Sequence, residues 1–193
     1  MVNNIIGFWI YLLVVNTIGF IFYLIYKVLR SGLIKKIVYI FLYLVAIGGG
    51  SFGMVLAILI FDRKADRDGL TFKVFAVIVL FIELILYFLI NKDMGGLNLD
   101  FIKFFSSRLY LLAYIVIINI VTFLAFAYDK YRAKNDGWRI KNFFLLGLSF
   151  IGGSLGGLLG MKLLRHKTKK SYYRLGLTLM VLMQVLLLVY FMN

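Results

Sequence analysis

The segments GGSFG at residues 49–53 and GGSLG at residues 152–156 are nearly identical and lie 103 positions apart. The same spacing pairs residues on both sides of these segments: Asn16 with Asn119, Phe20 with Phe123, Lys27 with Lys130, and Ile37 with Ile140. Apolar segments share residues by chance, but a common Asn and a common GGSxG at one fixed spacing indicate an internal duplication. We therefore predict a chain built from two related halves.

Around these segments the chain is divided into six apolar stretches, at residues 5–26, 37–61, 70–90, 109–128, 143–164 and 175–192. As helices they would each extend roughly 27–38 Å, which is enough to cross a hydrocarbon core about 30 Å thick. We predict an all-α integral membrane protein with six transmembrane helices. Because three crossings per half is an odd number, the two halves would enter the membrane in opposite senses, as inverted three-helix repeats.

The predicted domain organisation follows from this duplication. Residues 1–90 form a diverged three-helix membrane repeat, and residues 109–193 form the second repeat. Residues 91–108 form a linker whose apolar side chains could lie along the membrane surface: Leu97, Phe101, Ile102, Phe104 and Phe105.

The composition excludes a water-soluble globular protein. Of the 193 residues 63% are hydrophobic and 16% are charged, and the mean hydropathy is +0.98, whereas soluble domains are about half apolar and a quarter charged. The absence of cysteine excludes disulfides and thiolate catalysis. With a single histidine and no cysteine, we predict no metal site and no cofactor.

The net charge of +14 comes from 22 Lys and Arg that lie mostly between the apolar stretches. This distribution favours contact with anionic membrane lipids over binding to nucleic acid. If all six stretches cross the membrane, the loops on one side hold 13 Lys and Arg and those on the other side hold nine. The positive-inside bias then predicts that both termini lie outside.

Residues of the second half follow the order and spacing of a known family: Asn119, Tyr128-Asp129-Lys130, Ala133, Arg139-Ile140, Leu145-Leu146, Gly152-Gly153, Gly156, Met161 and Arg165-His166-Lys167-Thr168. Together they resemble the bacterial membrane-domain family catalogued as domain of unknown function 1294. Asn142 stands where the family usually carries an acidic residue. The resemblance implies a small helical domain of the bacterial cytoplasmic membrane, with no established activity.

Polar residues are predicted near mid-depth of the membrane. Asn16 and Asn119 lie near the centres of the first and fourth stretches, and Ser51 and Ser154 lie in the two GGSxG segments. One interpretation is tight helix packing along the glycines, with the Asn side chains bonding across helices. The other is a binding site for a small polar ligand or ion at the interface between the repeats.

Glu83 is the one acidic residue well inside an apolar stretch. Burying it in charged form would cost at least about 2.5–3.5 kcal/mol, so it must be protonated, paired or exposed to a wet cavity. Lys73 is ten residues earlier on the same helix, about 15 Å away, and is too far for direct contact. A partner from another helix or a neutral, proton-linked carboxyl is therefore expected.

The densest basic run ends the fifth stretch and comprises Arg165, His166, Lys167 and Thr168, followed by two further lysines. Arg offers a bidentate fork to phosphate, and Lys and Thr add further donors. Straight crossings would place Asp129, Lys130 and Arg139 on the opposite face, which predicts that Asp129 and His166 cannot meet. A topogenic anchor among lipid head groups is the alternative to specific anion recognition.

The sequence thus predicts a small membrane protein without enzymatic activity that binds or transports an anionic or phosphate-bearing ligand, such as a lipid head group. The alternative is a scaffold or sensor that acts through helix–helix association. In that case a homo-oligomer would form along the glycine ridge at Gly152, Gly156 and Gly160.

Overall fold

Most of the residues that the structure describes are helical, and none of them lies in a strand. That structure is a computed structural model that describes residues 2–29, 32–62, 69–92, 99–135, 138 and 140–193. Its helices are α1 Val2–Val28, α2 Leu33–Val45, α3 Ser51–Phe61, α4 Leu70–Asn91, α5 Phe101–Ser106, α6 Leu109–Lys134, α7 Asn142–Leu148, α8 Ser154–Leu163 and α9 Ser171–Met192. Short bends with a non-helical glycine, Ala46–Gly50 and Ser149–Gly153, join α2 to α3 and α7 to α8.

The prediction of six long apolar helical segments is confirmed. They are Ile6–Val28, Leu33–Phe61, Leu70–Asn91, Leu109–Lys134, Asn142–Leu163 and Ser171–Met192. Their apolar side chains cannot be hidden in a chain of this size, and many large ones are exposed, among them Leu13 at 69%. Within a bilayer, helices satisfy their own backbone hydrogen bonds, which is why such a composition adopts them.

The segment Asn142–Leu163 reverses direction at its centre. A straight helix would place Asn142 and Lys167 about 37 Å apart, yet Lys167 Nζ donates to Asn142 Oδ1 at 3.0 Å. The reversal occurs at Gly152, whose φ of 139° is accessible mainly to glycine. Residues 142–163 are therefore a hairpin of two short helices, which we call the second hairpin.

Contacts along α6 give the direction of each arm of the second hairpin. Near the start of α6, Tyr114 Oη donates to the carbonyl of Ile151 at the bend. Close to its end, Asp129 contacts His166, which follows α8. The returning arm α8 thus runs parallel to α6, and both ends of the hairpin lie beside the C-terminal end of α6.

Helix α9 runs back along the second hairpin. Tyr173, near its start, approaches Asn142 Oδ1 at 3.2 Å, whereas Gln184, farther along, bonds the carbonyl of Ser149 at the bend. The second half therefore consists of one helix entering, a hairpin that turns back, and one helix leaving.

The first half repeats this arrangement in residues 33–61, the first hairpin. Tyr11 Oη donates to the Gly48 carbonyl at 2.6 Å, and Tyr23 Oη donates to Asp62 at 2.6 Å. Asp62 ends the returning arm and pairs with Lys73 near the start of α4 at 2.7 Å. Gly49 has a positive φ of 99° at this bend. Gly152 also has a positive φ at the bend of the second hairpin.

These reversals overturn one sequence prediction and remove the premise of another, which stays a prediction. The prediction that Asp129 and His166 lie on opposite faces is wrong, since their side chains are 2.7 Å apart. The inverted orientation of the halves was inferred from three straight crossings in each. Because the middle segment of each half turns back, that premise no longer holds.

Residues preceding α6 form part of the predicted linker. Asp100 caps the short helix α5 by accepting from the backbone N–H of Lys103 at 3.0 Å. Phe104 is buried, while Ile102 is 86% exposed; Leu97 lies outside the described residues. Close contacts divide the chain into two compact units, Met1–Leu84 and Ile85–Asn193.

The course of the second hairpin predicts a labelling pattern in this naturally cysteine-free chain. Lys141 and Lys169, just before and just after the hairpin, are both exposed. Single Lys141→Cys and Lys169→Cys variants should react with an impermeant thiol reagent from the same side of the membrane in intact cells. Reaction from opposite sides would mean that residues 142–163 cross the membrane.

Candidate functional site in the second half

Asn119 holds the bend of the second hairpin through its side-chain amide. Its Nδ2 donates to the carbonyls of Ile115 at 2.8 Å and Gly152 at 3.0 Å, and its Oδ1 accepts from the backbone N–H of Gly156 at 2.7 Å. The bend and the first turn of α8 leave backbone groups without helical partners, which in lipid would cost several kcal/mol each. Asn119 satisfies two of them.

Asn16 makes the same bonds in the first half, to the carbonyls of Leu12 and Gly49 and from the N–H of Gly53. Both predicted mid-depth Asn residues are therefore bonded to the backbone of their own hairpin. The glycines of each motif pack against the Asn-bearing helix of their own half; the predicted crossing of the two glycine-rich segments stays a prediction. A Cβ on Gly156 would collide with the backbone of Asn119, and one on Gly53 with that of Asn16.

The third helix of each half also reaches the bend. Ser154 Oγ donates to Gln184 Oε1 at 2.5 Å, and Gln184 Nε2 donates to the carbonyls of Ser149 at 2.8 Å and Phe150 at 3.2 Å. In the first half the partner of Ser51 is Glu83, bonded through Oε2. The sequence analysis identified Ser51, Ser154 and Glu83 but missed Gln184, because the register of the third helix differs by two residues between the halves.

Asp129 is the centre of a buried charged cluster at the other end of the second hairpin. Its carboxylate is fully buried and meets His166 Nε2 at 2.7 Å and Lys167 Nζ at 2.8 Å. Its second oxygen accepts from the backbone N–H of Ile140 at 2.9 Å. One carboxylate thus ties the end of α6 to both ends of the hairpin.

Lys167 extends this cluster to α9. Its side chain is 2% exposed, and its Nζ donates to Asn142 Oδ1 at 3.0 Å and to Tyr173 Oη at 3.2 Å. Arg165 and Lys167 have φ values of 47° and 61°, a region that costs a non-glycine residue free energy and persists where surrounding contacts impose it. Neither Asn142 nor Tyr173 was among the predicted site residues.

The first half carries a simpler pair at the equivalent end. Tyr26 replaces Asp129 there, and the ion pair is Asp62–Lys73. Burial raises the pKa of Asp62, but hydrogen bonds from Lys73 and Tyr23 and the nearby charges of Lys73 and Lys27 outweigh it and hold that pKa below its ordinary value.

The remaining predicted residues differ in their access to solvent. Arg165 and Thr168 are exposed and Lys130 is half-buried, whereas Lys167 faces inward. Arg139 lies outside the described residues. The turn that follows α8 therefore buries the cationic side chain of Lys167 and leaves that of Arg165, two residues earlier, at the surface.

Within the described residues, no group of three or more His, Asp or Glu side chains could hold a metal ion. The cluster can fix the ends of the hairpin and orient Arg165 and Thr168. Its carboxylate already accepts three hydrogen bonds, from His166, Lys167 and Ile140.

Six long apolar helices define the class of this molecule as a helical integral membrane protein. Residues 119–173 match the family described as "Protein of unknown function (DUF1294)", and this region contains Asp129, Asn142, His166, Lys167 and Tyr173. "Uncharacterized protein YsdA" of Bacillus subtilis (strain 168) is 36% identical over 76 residues, which cover 39% of this chain and 85% of the relative. The chain belongs to the DUF1294 family, and the predicted resemblance is confirmed. No solved structure matches it.

Proposed function

We propose that this protein binds the phosphate group of anionic lipids on the side of the membrane where its hairpins open. The proposal is supported mainly by the distribution of charge that follows from the reversals. If each half makes two full crossings and one hairpin, the number of crossings per half is even, and both halves would begin on the same side of the membrane. Residues 91–108 contain three Lys and Arg, and the other 19 of the 22 belong to the side on which the hairpins open.

A separation of 19 to three is far larger than the 13 to nine expected from six straight crossings. The positive-inside bias assigns the side with 19 to the cytoplasm, which leaves both termini outside. That leaflet is the one rich in anionic lipids, and each basic residue near it contributes about 1 kcal/mol of attraction. The charge distribution therefore favours an anionic lipid over a soluble ligand from outside.

Within the second half, the turn after α8 offers the donors suited to a phosphate. Arg165, Thr168 and Lys169 are exposed and lie within five positions of one another. The guanidinium of Arg165 can donate two charge-assisted hydrogen bonds to phosphate oxygens, and the hydroxyl of Thr168 can donate a neutral one. His166 and Lys167 are bonded to Asp129 instead, so in this proposal they position the turn.

Lipid binding predicts a difference between two charge-matched variants. Anionic phosphatidylglycerol should raise the unfolding temperature of the purified protein more than zwitterionic phosphatidylcholine does. Arg165→Gln should weaken the apparent affinity for phosphatidylglycerol by about fivefold, the equivalent of about 1 kcal/mol, whereas Lys103→Gln in α5 should not. Equal responses to the two lipids, or equal effects of the two variants, would contradict the proposal.

The scaffold alternative has less support. The predicted glycine ridge is occupied within its own half, because Cβ atoms at Gly156 and Gly160 would meet Asn119 and Phe126. A homo-oligomer would need another surface. Transport along the mid-depth Asn residues would require breaking the bonds that hold both bends, so binding without transport is the simpler proposal.

A further inference from the structure

Glu83 is incompletely bonded at the bend of the first hairpin. Its Oε2 accepts a hydrogen bond from Ser51 Oγ. Its Oε1 is buried and has no hydrogen-bond partner within the described residues. A buried polar atom without a partner destabilises the fold, so this atom requires an explanation.

The second half contains the corresponding arrangement in completed form. Ser154 donates to Gln184 Oε1, just as Ser51 donates to Glu83 Oε2. In addition, Gln184 Nε2 donates to the carbonyls of residues 149 and 150. The Glu83 atom that corresponds to Nε2 is Oε1. With the 103-residue spacing, the corresponding carbonyls in the first hairpin are those of residues 46 and 47.

An ionised carboxylate cannot replace the amide of Gln184, because it has only acceptors to offer to carbonyl oxygens. A protonated carboxyl has one O–H donor and can replace it. Lys73, the nearest cation along α4, is bonded to Asp62. The other described titratable groups of this half are Tyr11, Tyr23, Tyr26, Lys27, Lys35, Lys36, Tyr39, Tyr43 and Tyr87, and Glu83 takes part in none of the ion pairs among the described residues.

We propose that Glu83 is a proton-binding site that closes the bend of the first hairpin. The protonated acid donates its single O–H from Oε1 to the carbonyl of residue 46 or 47, where the Gln184 amide in the second hairpin donates permanently. The first hairpin thus depends on a proton and the second does not. This site is independent of the lipid-binding proposal, because it lies at the bend and not at the open end.

The first test exchanges the two side chains. A native form that keeps a proton which the unfolded chain releases becomes less stable as the pH rises. Between about pH 5 and pH 9, the unfolding temperature of the wild type should fall relative to Glu83→Gln by at least about 2 °C. Gln184→Glu should add a further decline of the same sign. Parallel pH profiles of wild type and Glu83→Gln would overturn the proposal.

A second test uses the intact carboxyl and does not depend on how Glu83→Gln folds. Ile47→Cys and Phe150→Cys occupy equivalent positions in the two bends of a cysteine-free chain. The ratio of their reaction rates with a membrane-permeant thiol reagent cancels the pH dependence of the thiol itself. We expect the ratio of position 47 to position 150 to rise several-fold with pH. A constant ratio would overturn the proposal.

Discussion

Replacement of Asp129 by Leu is expected to lower the free energy of unfolding by about 3–5 kcal/mol, because it leaves the buried Lys167 ammonium without its counter-charge. Lys167 is 2% exposed and lies 2.8 Å from the carboxylate. The substitution also leaves the N–H of Ile140 without the acceptor it has at 2.9 Å. Thermal unfolding of the purified protein in detergent would measure the loss.

The double variant Asp129→Leu/Lys167→Met separates this effect from simple loss of packing. If the cost arises from an unpaired buried charge, removing the charge as well should restore most of the stability. Lys130→Ala, at the neighbouring half-buried position, should change stability little and serves as the control. A double variant no more stable than Asp129→Leu would contradict this account of the cluster.

Composition and duplication were sufficient to predict the class of the protein and the number of apolar helices. The repeated GGSxG and Asn elements also identified residues that contact each other at the bend of each hairpin. In the structure Asn16 and Asn119 each accept from the glycine that ends the motif, Gly53 or Gly156. A recurring spacing between a polar residue and a glycine thus indicated a real contact in each half.

Hydropathy could not distinguish a straight crossing from a hairpin. The second hairpin has 22 residues, and its 18-residue window has a mean hydropathy of 1.8, a length and composition equally suited to one span. The reversal depends on a single backbone conformation, at Gly152, that periodicity does not encode. The distribution of Lys and Arg was the available signal. With six straight crossings the two sides of the membrane hold 13 and nine of these residues, whereas with two hairpins they hold 19 and three.

The same error hid the charged cluster. When residues 142–163 are taken as one straight helix, Asp129 and His166 are assigned to opposite faces of the membrane. Asn142 was then noted only as a departure from the family pattern and not as part of a site. In the structure Asn142 Oδ1 accepts from Lys167 at 3.0 Å. An acidic residue at that position would give the same lysine a second counter-charge.

Gly156→Ala is expected to destabilise the protein by about 2–3 kcal/mol, since the added methyl group would collide with the backbone of Asn119. Backbone atoms cannot change rotamer, so α6 and α8 would have to separate. Separation would also lengthen the bond from the Gly156 N–H to Asn119 Oδ1, now 2.7 Å.

Gly147→Ala is the matched control, because a Cβ there has no neighbour within 4 Å. This residue lies within α7, where Ala is a better helix former than Gly by about 0.5–1 kcal/mol. Gly147→Ala should therefore leave the unfolding temperature unchanged or raise it, while Gly156→Ala lowers it. Equal effects would mean that close contact between α6 and α8 is not what holds the returning arm of the hairpin in the membrane.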